Sequence, residues 1–181
     1  MMVFRTVEEH FSLSHFESWL YKQEDLSNQM NDDFILALFE FNYKQRGAAY
    51  EFKKTVLNFL DYEEFMLWKI KTNLQDLIDG RDSRDRILHE FLQLGYDELP
   101  FLHSLGYYTY QLEDAEYLNI SRENVVDSLK KEAAELLQEI IEAENSNPDF
   151  KIMTFKKKLH LVFWGGTAIH PKSKEWWQFW K

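Results

Sequence analysis

Four glutamates, Glu132, Glu135, Glu139 and Glu142, recur at the three- and four-residue steps that align side chains along a helix. Turned inward against a facing helix, such a ladder could hold a divalent cation. A helical wheel decides the direction. With Glu132 at zero, the glutamates fall at roughly 280° to 360°, whereas Val126, Leu129, Ala133, Leu136, Leu137, Ile140 and Ile141 occupy roughly 40° to 180°. The ladder points away from the core, which makes it a solvated face and a surface for a cationic partner. His10, His15, His89, His103, His160 and His170 include no pair at i, i+4 and no Glu-x-x-His. No metal site is predicted, and no phosphate-binding glycine loop or other cofactor signature occurs.

A second stretch gathers an arginine, a carboxylate and a histidine: Ser83-Arg84-Asp85-Arg86-Ile87-Leu88-His89-Glu90-Phe91. In it Arg84 is followed by a polar residue, three further positions and His89. This pattern resembles the signature of the HEPN family of all-helical ribonucleases and toxins, over about nine residues. The resemblance implies metal-independent RNA cleavage. His89 would move a proton at a ribose 2′-hydroxyl or the leaving oxygen, Arg84 would stabilise phosphate charge, and Asp85 would support them. Five residues at about 100° each place Arg84 and His89 roughly 140° apart on a straight helix. A common pocket then needs Arg84 in a non-helical cap region, or a second subunit that completes the site.

Charge favours a different function. The chain of 181 residues carries a net charge of −10, divided as −6 over 1–80, −10 over 81–149 and +6 over 150–181. An acidic body repels nucleic acid and attracts basic partners. Glu113, Asp114, Glu116, Glu123 and Asp127 lead into the ladder, so 113–149 is the most acidic part. Such a surface steers a basic protein and competes with phosphate for a nucleic-acid-binding face. Small acidic proteins that neutralise nuclease toxins act in this way. The reading is an immunity- or antitoxin-type inhibitor of a basic partner, with RNA as the ligand only under the HEPN alternative. Partner contacts are assigned to Glu113, Asp114, Glu116, Glu132, Glu135, Glu139 and Glu142.

The elements that must carry these residues are helical. Asn31 to Gly47 has an N-cap, acids in its first turn, bases in its last and a glycine exit, with apolar residues on nearly every side. That composition predicts a buried central helix. Ser14 opens a capping box after a short first helix, Asp61 opens a long stripe ending at Gly80, and Ser83 opens another stopping at Gly95. A short piece at 98–105 follows Asp97, and Tyr107, Tyr108 and Tyr110 fall in an unclassified connection. Ser121 caps the clearest amphipathic helix, to about Ala143. Asn147-Pro148 predicts a further helix, with strand alternation through Leu159, Leu161 and Phe163 as its rival.

The result is an all-α single domain over 1–181, a bundle around a buried helix, with a short irregular or β segment allowed near the C-terminus. Its basic, Trp-rich segment 150–181 is expected to dock on the acidic body, which would shield Trp164, Trp176, Trp177 and Trp180 from water. There are no cysteines and no secretory or membrane-spanning pattern, and a cytoplasmic location is expected.

Overall fold

A computed structural model describes residues 2–8, 10–26, 30–117 and 119–157. Among them the fold is all-α, with no strand. In chain order the helices are α1 (Met2–Val7), α2 (Leu13–Leu20), α3 (Asp32–Glu40), α4 (Ala48–Leu57), α5 (Tyr62–Asp79), α6 (Arg84–Asp97), α7 (His103–Gly106), α8 (Tyr108–Glu113) and α9 (Arg122–Ser146). Short 3-10 turns occupy Pro100–Leu102 and Ile152–Thr154.

Local chemistry sets most boundaries. Asn31, Asp61 and Ser121 each accept backbone N–H groups of the first turn they open, which satisfies donors that have no intrahelical partner. Gly80 ends α5 at φ 72°, a left-handed conformation that costs glycine no side-chain clash. At α2 the cap is Ser12, whose hydroxyl accepts from the His15 amide, so the helix starts before the predicted Ser14 box.

The bundle is organised around α5. It buries Phe65, Met66, Ile70, Leu74 and Leu77 and packs against both α6 and α9. From α9 come Val125, Leu129, Ala133, Leu136 and Ile140, and from α6 Ile87, Leu88, Phe91 and Leu92. Fully burying a side chain of this size stabilises by about 1.5–3 kcal/mol each, so the three helices supply a large share of the apolar driving force.

The predicted central helix at 31–47 is not the axis. Helix α3 stops at Glu40 and buries only Phe34 and Leu38, while Leu36 is 56% and Phe39 38% exposed. The reason is its place at the N-terminal edge, where only one side meets a neighbour. Phe41 turns to extended backbone, and Phe41 and Tyr43 pack on Phe52 of α4 at 5.4 and 6.1 Å between ring centres.

Two further differences come from tertiary contacts. Helix α6 does not stop at Gly95 but continues to Asp97, and Gly95 instead admits the backbone of α7 at His103. Beyond α9, no helix starts at Pro148. The Asn147 side chain accepts from the Asp149 amide, a local turn that competes with helix, and the chain runs on to the 3-10 turn at 152–154. This segment folds back over the bundle. Ile152 is buried, the Met153 amide donates to Glu63 at 3.3 Å, and Phe155 meets Phe101 edge-on at 5.0 Å. The expectations for Leu159 to Phe163 and for the terminal tryptophans fall on 158–181, outside the described residues.

Candidate functional site

The nine-residue motif lies at the start of α6. Arg84 is its first residue, and the Arg84 Nε donates to its neighbour Asp85 at 3.0 Å. His89 sits on the exposed side of the same helix. Two clefts open nearby. One, of about 530 Å³, lies between α1, α5 and α9 around Phe4, Trp68, Leu137 and Ile141. The other, of about 460 Å³, is lined by Glu8, His10, Asp76, Arg81, Ser83 and Arg86. Neither is lined by Arg84, Asp85 or His89.

Charge is instead concentrated in an interior joint that sequence reasoning missed. Lys69 of α5 reaches Glu8, just after α1, at 3.0 Å and also pairs with Glu90 of α6. Asn73 donates to Glu90 at 3.2 Å, and Arg86 approaches the same carboxylate at 3.4 Å. The Glu8 and Lys69 side chains are only 7% and 12% exposed. Every charge here has an opposite neighbour, and the joint ties the end of α1 to α5 and α6. Among the described residues no group of histidines and carboxylates is placed to hold a metal ion.

The acidic residues divide into two sets. Glu132 is used inside the molecule: the Ser104 hydroxyl donates to it at 2.6 Å and the Lys157 ammonium at 3.1 Å. Tyr108 is buried beside it, and burial first, then the Glu132 charge, raises the phenol above its ordinary pKa. Glu132 therefore fastens α7, α8 and the residues after α9, and is occupied before any partner arrives. Glu113, Asp114, Glu116, Glu135 and Glu142 are exposed and Glu139 is half-buried. Glu142 accepts from Gln138 on its own helix, and the set otherwise faces solvent.

Next to these carboxylates stands an aromatic ledge. Tyr96 from the end of α6, His103 at the start of α7, Tyr107 and Tyr110 form a continuous row, with ring centres 4.5, 4.8 and 5.6 Å apart and each pair edge-to-face. Tyr96, Tyr107 and Tyr110 are 62%, 44% and 46% exposed. The Tyr107 hydroxyl is the main cause raising the Tyr96 phenol above its ordinary pKa. Ser104 and Tyr108, one residue on from His103 and Tyr107, meet Glu132, so the α7–α8 run that carries the ledge packs beside α9. The ledge escaped the sequence reading because its rings come from three helices. The available signal was the four tyrosines between positions 96 and 110.

No protein-family model, curated protein or solved structure matches the chain.

Proposed function

We propose that this chain is a binding protein for a basic protein partner, an inhibitor of the immunity or antitoxin kind, acting through the face formed by α6 to α9. One observation carries the reading: exposed Tyr96, Tyr107 and Tyr110 and the exposed carboxylates of α8 and α9 are carried by helices that pack on one another. Large aromatic rings supply most of the energy at protein interfaces, and a field of one sign speeds and selects the encounter. A nuclease toxin is the class of partner whose own phosphate-binding surface would complement that field. Glu113, Asp114, Glu116, Glu135, Glu139 and Glu142 supply the charge. Glu132 supports the face from within. The lack of cysteine fits a reducing compartment such as the cytoplasm.

The test is binding of basic probe proteins to the intact chain and to a Glu135→Lys/Glu139→Lys variant at two salt concentrations. Binding that weakens with salt and drops at least tenfold in the variant supports the reading. Binding indifferent to both changes removes it.

A further inference from the structure

We propose that the ledge of Tyr96, Tyr107 and Tyr110 seats arginine side chains of the partner, so that this face reads guanidinium groups and not positive charge alone. The inference rests on the binding function above and names the chemistry it selects.

Three observations lead there. The tyrosines are open to water at 44–62% exposure, although the edge-to-face contacts with His103 and between Tyr107 and Tyr110 already fix the rings. Little ordering entropy is then lost when a ligand lands on them. Carboxylates stand at the Tyr110 end of the row, where exposed Glu113 and Asp114 lie three and four residues past Tyr110, on the same side of that turn. Finally, the row is built on a backbone-to-backbone crossing of α6 and α7 at Gly95, so the rings cannot drift apart without moving two helices.

A tyrosine face attracts a cation, and a carboxylate accepts two parallel N–H bonds from a planar fork. Guanidinium meets both demands at once, because its plane stacks while its edge donates. An ammonium is more strongly hydrated and has no plane, so lysine gains less. Bases of a single-stranded nucleic acid also stack on tyrosine, but their phosphates would meet the carboxylates beside Tyr110.

The experiment compares fluorescent nine-residue arginine and lysine peptides by anisotropy against the intact chain and three variants. The native chain is expected to bind the arginine peptide about 5- to 10-fold more tightly than the lysine peptide. Tyr96→Leu/Tyr110→Leu should collapse that ratio towards one, and Tyr96→Phe/Tyr110→Phe, which keeps the rings, should retain it. Glu135→Lys/Glu139→Lys should weaken both peptides by the same factor. Equal binding of the two peptides by the native chain, or a ratio that survives in the leucine variant, overturns the ledge and leaves the acidic-surface reading standing. Binding of neither peptide by the native chain overturns both.

Discussion

Gly95 of α6 lies against His103 of α7 so closely that a Cβ on the glycine would sit 2.7 Å from the His103 Cα. The reciprocal glycine, Gly106, meets the backbone of Leu92 in the same way. The two helices therefore touch through their main chains, with no side chain between them, and the tyrosine ledge inherits its spacing from that contact.

In an ordinary helix interior Gly→Ala stabilises, by about 0.4–1 kcal/mol, through the unfolded chain. At Gly95 the sign should reverse. The added methyl meets backbone that cannot turn aside, and Gly95→Ala should cost about 1–3 kcal/mol by denaturant unfolding. A neutral or stabilising result would mean that the crossing is loose.

Glu132 and the outward glutamates should separate in stability. Glu132→Ala removes the acceptor for Ser104 and Lys157 and should cost about 1–3 kcal/mol, with faster amide exchange over 152–157. Glu135→Lys and Glu139→Lys should shift stability by less than about 0.5 kcal/mol, as surface substitutions do. Equal effects at all three positions would place Glu132 on the outer surface with the others.

Alkali should unfold the protein ahead of general damage. Burial raises the phenol pKa of Tyr43 and Tyr108 above the ordinary 10.0, and Tyr43 also donates to the Leu38 carbonyl at 2.7 Å. The native state then holds protons that the unfolded chain gives up. The stability they contribute is whole below pH 10.0 and is lost as pH rises towards the folded-state values. Denaturant titrations between pH 8 and 11 should show the fall starting near pH 10, and Tyr43→Phe should flatten it.

RNA should survive the purified protein in excess chelator, because Arg84 is turned to Asp85 and His89 faces solvent away from either cleft. Cleavage by the native chain that His89→Ala abolishes would reinstate the ribonuclease reading, with the pocket completed by a second copy.

What could be read in advance was what short-range chemistry decides. Asn31, Asp61, Ser121 and Gly80 act within one turn of their own position, and each marks a boundary in the fold. The apolar stripe of α9 emerged nearly whole, because 25 residues give the helical period room to show. Helix α3 misled because composition does not say how many neighbours a helix has, and Leu36 and Phe39 face outward despite their type. Gly95 misled for a related reason. A glycine that ends a helix and one that admits another backbone look alike until the crossing partner is known. The run from Pro100 to Glu113 breaks into pieces of three to six residues, too short for any period to register.

Lys69 places one positive charge between carboxylates that belong to opposite ends of the fold's first hundred residues. Dissolved ions reach that interior joint poorly, whereas they screen the outer acids over about 10 Å at 0.1 M. Under the binding function proposed above, raising the ionic strength should strip a cationic partner from the surface while α1 stays clamped to α5 and α6. The molecule keeps two electrostatic systems that answer to salt separately, and the outer one can be weakened without the protein coming apart.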